Sequence, residues 1–140
     1  MVDPESHFLV YPISSNGTLE ERGASWLFLR WVVDHFAGDS ILGGDFTPSL
    51  VSSAGGAAAV AAPTGVPFAG LVTEWHLANY LDDLPGFVAT SPRLRLKSWG
   101  LRGVWTNPVN QSTANPPGPF NGFPLVPDQA SGNYTRSGTL

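Results

Sequence analysis

The fold of this chain depends on one stretch, residues 64–86, with the sequence TGVPFAGLVTEWHLANYLDDLPG. Apolar residues recur in it at three- and four-residue steps, the spacing of one face of an α-helix. Pro67 suits the first turn of such a helix, because the N–H that proline lacks has no partner there. Pro85 and Gly86 are typical of a helix end. The stretch therefore predicts a helix with one apolar face, made by Phe68, Leu71, Val72, Trp75 and Ala78 and widened by Leu77, Tyr80, Leu81 and Leu84.

A second helix, residues 19–37, is the expected partner of the first. Thr18 and Glu21 match a capping box, in which each side chain accepts from the backbone N–H of the other residue. Beyond this start the helix is apolar almost all round, with Arg30 and Asp34 as a narrow polar stripe. Such a helix is buried on most sides, but a chain of 140 residues has little surface with which to cover it.

The remaining segments give weaker signals. Residues 47–52 and 57–62 predict two short helices, separated by consecutive glycines. Residues 93–99, RLRLKSW, alternate strictly between polar and apolar, which predicts a β-strand that continues over 101–105. Residues 8–11 form a short apolar run, interpreted as an edge strand or a packed arm.

These segments together predict a mainly α fold. Residues 1–105 are expected to form a small helical bundle, with two main helices and several short ones, that ends in a short β segment. Residues 106–140 are rich in proline and glycine, and we interpret them as an extended or disordered tail or as the start of a further β domain.

Charged residues are scarce, at 13% of the chain, which is about half the usual share in a globular domain. We therefore expect another domain or protein to cover part of the surface. Residues 1–83 carry a net charge of −8 and residues 84–140 a net charge of +4. The basic cluster at 93–102 is too small to predict nucleic-acid binding. Neither a secretory signal nor a long apolar span is present in the sequence, so no membrane partner is predicted.

Few residues suggest catalysis. The chain has no cysteine, and its three histidines are isolated in sequence, so neither a metal site nor a thiol nucleophile is predicted. The adjacent acids Asp82 and Asp83 have two interpretations: ion pairs with the basic residues 93–97, or an acid pair that lines a cleft. A further hypothesis is a small hydrolase that uses His76 with Glu74 or Asp82.

Three strings in succession carry a family resemblance: RGASWLFLRWVVDHFAGDSIL (22–42), AAVAAPTGVPFAGLVTEWHLANYLDDLPGF (58–87) and SPRLRLKSWGLRGV (91–104). Their order and spacing resemble the region that follows the active site in bacterial zinc metallopeptidases of the hyicolysin-like, gluzincin-type group. The resemblance covers residues 19–104. It implies that these residues form the helical lobe that, in full-length relatives, packs behind the catalytic cleft and forms one of its walls.

The catalytic part of that family is missing from this sequence. No His-Glu-x-x-His occurs, so the family's catalytic residues and zinc ligands carry over to no position, and zinc is implied only for a full-length relative. The resemblance implies a non-catalytic lobe, without a cofactor of its own, that partners the catalytic lobe of the same polypeptide or another protein. It also implies an extracytoplasmic or secreted location. Candidate cleft-lining residues are Trp75, His76, Asp82 and Asp83.

The alternative function is a free-standing protein-interaction module without enzymatic activity. Such a module would bind its partner through exposed faces of Trp26 and Trp31, or through the Pro-rich tail.

Overall fold

The computed structural model describes residues 16–38, 44, 46–52, 55–114 and 118, together with the backbone of residues 126–127 and 134–135. The predicted mainly α fold is confirmed. The described residues form five α-helices and a 3₁₀ turn at Pro92–Leu94. The helices are α1 (Leu19–Phe36), α2 (Phe46–Ser52), α3 (Gly56–Thr64), α4 (Phe68–Leu81) and α5 (Leu101–Thr106).

The described residues of the tail include a short β pairing. Strand β1 (Val126–Pro127) pairs antiparallel with β2 (Tyr134–Thr135), with Val126 opposite Thr135. The predicted strand at residues 8–11 and most of the predicted extended tail lie outside the described residues.

Helix α1 begins with the predicted capping box. The Glu21 N–H donates to the Thr18 hydroxyl at 3.2 Å, and the Thr18 N–H donates to the Glu21 carboxylate at 2.8 Å. A cap of this kind contributes about 1 kcal/mol. The helix ends at Phe36, and Gly38 follows with a φ of 68°, a left-handed conformation that glycine adopts without strain.

Helix α4 is shorter at both ends than the sequence predicts. Thr64 is the last residue of α3, and the N–H of Gly65 closes that helix by donating to the carbonyl of Ala61 at 3.0 Å. Pro67 is the N-cap residue of α4 and lies just before the helix, not in its first turn as predicted. At the other end the helix stops at Leu81, because the backbone of the next residue, Asp82, has a ψ of 121°, outside the helical range.

The core lies between α1 and α4. The ring of Phe28 packs edge-on against Trp75, with 5.4 Å between centroids, a favourable geometry for aromatic pairs. Each large apolar side chain buried here contributes about 1.5–3 kcal/mol. Leu77 is 45% exposed, so its predicted place on the apolar face is wrong. The buried cluster comprises Phe28, Trp31, Val32, Val60, Leu71, Trp75, Ala78, Leu96 and Leu101.

The predicted strand over 93–99 is wrong. Ser91 starts a 3₁₀ turn there by accepting from the Arg93 N–H at 3.3 Å, and Arg95, directly after the turn, has an extended backbone. Residues 101–105, predicted to continue the strand, belong to α5. Side chains of α1, and that of Asp82 directly after α4, take the place of a neighbouring strand.

Candidate functional site

Two side chains of α1 hold residues 93–101, which we call the Arg-rich segment. The indole N–H of Trp31 donates to the carbonyl of Arg93 at 3.0 Å, and Nε2–H of His35 donates to the carbonyl of Arg95 at 2.9 Å. Trp31 and His35 lie about one helical turn apart, so one face of α1 binds the carbonyls of two alternate residues, one in the 3₁₀ turn and one directly after it.

Asp34 is the second anchor of the segment. Its carboxylate accepts from the backbone N–H of Ser98 at 3.2 Å and from the Ser98 hydroxyl at 2.7 Å. Arg30, one turn earlier on α1, forms an ion pair with the same carboxylate. Lys97 donates to the backbone carbonyl of Asp34 at 2.7 Å. The polar stripe of α1, Arg30 and Asp34, therefore binds the Arg-rich segment of the same chain.

Asp82 is the third anchor, and it is 2% exposed. One carboxylate oxygen accepts from the N–H of Leu96 and the other from the N–H of Leu101, both at 3.1 Å. Arg102 donates to the carbonyls of Tyr80 and Asp82, at 2.6 and 3.1 Å, and so satisfies carbonyls at the end of α4. Five backbone groups of the segment thus pair with side chains of α1 or with Asp82, where a strand would pair with a neighbouring strand.

The ion pairs of the Arg-rich segment differ in part from the expectation. Asp83 pairs with Arg95 at 3.4 Å on the surface, as one interpretation predicted, whereas Asp82 binds backbone N–H groups. The closest pair was not anticipated: Arg93 binds Glu74 through two contacts, at 2.8 and 3.0 Å. The 3.0 Å contact is a hydrogen bond from the Arg93 guanidinium to Oε1 of Glu74, whereas the 2.8 Å contact between Nε and Oε2 is an ion pair without hydrogen-bond geometry.

His35 lies partly buried beneath the Arg-rich segment. Burial is the main reason that the pKa of His35 falls below its ordinary value, since desolvation disfavours the charged imidazolium. The hydrogen bond to the Arg95 carbonyl and the charge of Asp34 oppose this shift, while Lys97 and Arg93 add to it. The neutral ring with its proton on Nε2 fits the observed contact.

The four candidate cleft-lining residues occupy different environments. Trp75 lies in the core at 2% exposure, and Asp82 is equally buried. His76 and Asp83 are exposed, and the His76 ring lies 4.9 Å from that of Trp75. The structure thus places Asp82 and Asp83 against the Arg-rich segment, and it does not gather all four around one open space. Their role in a cleft stays a prediction.

A groove opens between α1, α2 and α3, with a volume of about 270 Å³. Its walls are almost entirely apolar, and Ser25 supplies the one side-chain hydroxyl. Val51, at its rim, is 80% exposed, and Leu29 is 40% exposed. The lining residues are Ser25, Phe28 and Leu29 of α1, Leu50 and Val51 of α2, Gly55 directly before α3, and Gly56, Ala59 and Val60 of α3.

Helix α1 also carries exposed apolar residues that do not line the groove. Trp26 is 51% exposed, and its ring meets that of Trp99 edge-on at 5.3 Å. Trp31 is fully buried, so its predicted part in an exposed surface is wrong. We call the groove together with Leu19, Trp26, Leu29 and Trp99 the apolar face. The sequence signal for this face is that α1 carries more apolar residues than the core can bury.

The described residues do not form a recognisable catalytic centre. Glu74 is bound to Arg93 and Asp82 to two backbone N–H groups, so neither carboxylate is placed to act with His76. Among the same residues, no group of three or more histidines and acids is arranged to hold a metal ion. The small-hydrolase hypothesis gains no support from this geometry.

Comparison with known proteins adds no further assignment. The sequence matches no protein-family model, and no curated protein or solved structure matches it. The metallopeptidase resemblance thus stays a prediction. Within the described part of the chain, no single helix has the length and apolar character of a membrane span, although α3 and α4, bent by 82°, have them jointly.

Proposed function

We propose that this chain is a non-catalytic helical subdomain whose apolar face packs against another folded unit. The observation that carries the proposal is the groove between α1, α2 and α3, with Leu29 and Val51 exposed at its rim. Contiguous exposed apolar surface of this kind marks interaction sites. The low content of charged residues, at 13%, agrees with a surface that is normally covered.

The resemblance over residues 19–104 suggests which unit this is. In that reading the partner is the catalytic lobe of a zinc-metallopeptidase-like protein, and the chain supports this lobe and forms one wall of its peptide-binding cleft. Residues 106–140 would then form a short β segment and an extended connection. The alternative is a free-standing interaction module that presents the same face to a separate protein.

The apolar face is tested with a dye that fluoresces on apolar surface, such as anilinonaphthalene sulfonate. Val51→Asp places a charge at the rim of the groove and is expected to lower dye fluorescence severalfold. The matched control is Val88→Asp, because Val88 is 83% exposed and does not line the groove. Equal dye binding by the two variants, both folded by circular dichroism, would show that the groove is not an open apolar surface.

The identity of the unit that covers the apolar face is tested by sequencing the gene. The DNA upstream of the Met1 codon is sequenced and translated in frame. A His-Glu-x-x-His helix within about one domain's length, roughly 100–200 residues, supports the metallopeptidase lobe. An in-frame stop codon directly before Met1, with a ribosome-binding site, refutes a preceding catalytic lobe in the same polypeptide and favours the interaction module.

A further inference from the structure

The chain enters α1 through an asparagine followed by a glycine, Asn16 and Gly17. We infer that this pair is a site of spontaneous covalent modification, at which Asn16 loses its side-chain amide and becomes aspartate or isoaspartate. The inference goes beyond the proposed function, because it does not depend on what covers the apolar face. Three observations carry it: the exposure of Asn16, the free N–H of Gly17, and the different surroundings of the other described asparagines.

The reaction needs an asparagine side chain next to an accessible backbone amide, and asparagine is one of the thermolabile residues of proteins. The backbone nitrogen of Gly17 loses its proton to solvent base and attacks the side-chain carbonyl carbon of Asn16. A nitrogen–carbon bond forms, the bond to the side-chain nitrogen breaks, and ammonia leaves after taking a proton from water. Water then opens the cyclic imide at either carbonyl. The net change converts asparagine and water to aspartate or isoaspartate and ammonia.

Both reacting groups are accessible in the structure. Asn16 is exposed and Gly17 is partly exposed. Gly17 has no side chain to shield its nitrogen, and its φ of 64° is a left-handed conformation that glycine adopts without strain. Among the described residues, no hydrogen bond holds the Asn16 side chain or the Gly17 N–H. The capping box begins at the next residue, where the Thr18 N–H donates to Glu21 at 2.8 Å, so the reactive pair lies just outside the hydrogen bonds of α1.

Two of the other described asparagines are protected by their backbone. Asn107 precedes Pro108, whose nitrogen carries no hydrogen and cannot attack. Asn79 lies within α4, where the N–H of the following residue belongs to the hydrogen bonds of the helix. Its side-chain oxygen is also buried. Neither residue can form the imide without a large local change.

Asn110 is protected by hydrogen bonds on both reacting groups. Its side-chain amide donates to the carbonyl of Val104 at 2.8 Å. The N–H of Gln111, which would have to attack, donates to a carbonyl four residues earlier at 3.0 Å. The second asparagine–glycine pair of the sequence, at 121–122, lies outside the described residues. Asn16 is therefore the reactive one of the described asparagines.

The modification changes the start of α1 in one of two ways. Aspartate at position 16 places a carboxylate before the positive end of the helix dipole, which is favourable. Isoaspartate instead adds one carbon to the main chain directly ahead of the capping box of Thr18 and Glu21. Leu19, at the exposed edge of the apolar face, lies three residues further on. The isoaspartate form should therefore loosen the first turn of α1, and with it this edge of the face.

The test incubates the full chain at mildly alkaline pH in water enriched in heavy oxygen. Hydrolysis of the imide places heavy oxygen in the new carboxylate, and later digestion in ordinary water adds no more of this label. Trypsin releases peptide 1–22, in which Asn16 is the sole asparagine, and peptide 31–93, in which Asn79 is the sole one. We expect the label to accumulate severalfold faster in the first peptide. Methylation of that peptide by an isoaspartate methyltransferase identifies the isoaspartate form.

Three variants and one reference state identify the reacting groups. Asn16→Gln keeps an amide but forms an imide ring poorly, so labelling of peptide 1–22 should be lost. Gly17→Ala adds a side chain beside the attacking nitrogen and should slow the labelling severalfold. Its matched control is Gly23→Ala, in which the added carbon meets open space and which should leave the labelling rate unchanged. The wild-type chain in urea gives the rate of the unfolded pair.

Labelling of Asn16 in the folded chain at a rate close to that in urea supports the inference. A folded rate many times slower than the rate in urea overturns it, because the turn would then protect the pair. Labelling of peptide 1–22 that persists in Asn16→Gln also overturns it, because another residue would then be the source. The dye and gene experiments depend on none of these results, so the proposed function stands or fails separately.

Discussion

The buried carboxylate of Asp82 accepts a hydrogen bond from the backbone N–H of Leu96 at 3.1 Å. Its second oxygen accepts from Leu101, so one side chain joins the end of α4 to both the Arg-rich segment and the start of α5. The two adjacent acids therefore have different structural roles. Asp82 fixes the chain internally, whereas Asp83 faces solvent and pairs with Arg95.

Replacing Asp82 should destabilise the fold strongly. Asp82→Ala leaves two buried N–H groups without an acceptor, and hydrogen bonds to a charged group contribute about 1.5–3 kcal/mol each. We expect the free energy of unfolding in urea to fall by about 3–6 kcal/mol. Asp82→Asn keeps one acceptor oxygen, so its free energy of unfolding should fall by less.

Asp83→Asn is the matched control for that change. Asp83 has a φ of 49°, a left-handed conformation that asparagine also tolerates. Its ion pair is on the surface, where removal costs about 0–1 kcal/mol. Equal losses from Asp82→Ala and Asp83→Asn would contradict the anchoring role of Asp82.

The stability of the protein should depend on pH through His35. Its pKa is lowered in the folded state, mainly by burial, so the unfolded chain binds the proton more readily. The contribution of His35 is therefore fully present above its ordinary pKa of about 6.5. It is lost as the pH falls from there through the lowered folded value. Urea midpoints measured between pH 7.5 and pH 5 should fall across about this window.

Two histidine variants isolate that effect. His35→Gln keeps a donor for the Arg95 carbonyl but does not titrate, so the fall in midpoint between these pH values should become smaller. His76→Gln changes an exposed histidine and should leave the fall unchanged. An identical pH dependence in wild type and His35→Gln would show that other groups cause it.

Chelation should not affect the fold. The acids of the described core bind backbone N–H groups or arginines, and no cluster of metal ligands is found among the residues with described positions. The thermal unfolding midpoint should therefore be the same with EDTA, with added zinc and in plain buffer. A midpoint that rises with zinc and falls with EDTA would reveal a metal site that stabilises the fold.

Local sequence signals predicted most of the helical body. The capping box at Thr18 and Glu21 marks the start of α1, and Gly38 follows its end, because the groups involved lie within a few residues of each other. The apolar spacing of Leu71, Trp75 and Ala78 identifies the buried face of α4 in the same way. Such patterns need no knowledge of the rest of the fold.

The Arg-rich segment shows where sequence reasoning failed. Its alternating residues suit a strand, but a strand needs a neighbour, and side chains of Trp31, Asp34 and Asp82 satisfy this backbone. Asp34 and Trp31 are 64 and 62 residues from their contacts, so no local pattern could identify them. The polar character of Asp34 predicts that it lies on the polar stripe of α1, but it does not identify the groups that Asp34 binds.

The candidate surface was predicted only in outline. The apolar excess of α1 indicated that some of the helix would remain uncovered, and Trp26 is indeed exposed. The distinction between Trp26 and Trp31 depends on which side of α1 faces α4, which the nearly continuous apolar sequence does not specify. The groove could not be foreseen either, because it depends on how α2 and α3 pack beside α1.

The anchoring of the Arg-rich segment also has a kinetic consequence. Helix α1 and its cap form from neighbouring residues, but the segment can be ordered only after α1 and α4 have met, because its partners there lie 12 to 68 residues away. Contacts of such long range are costly in loop-closure entropy and form late. The amides of Leu96, Ser98 and Leu101 therefore report on the assembled bundle, and hydrogen exchange at these three sites follows its opening rather than the fraying of any one helix.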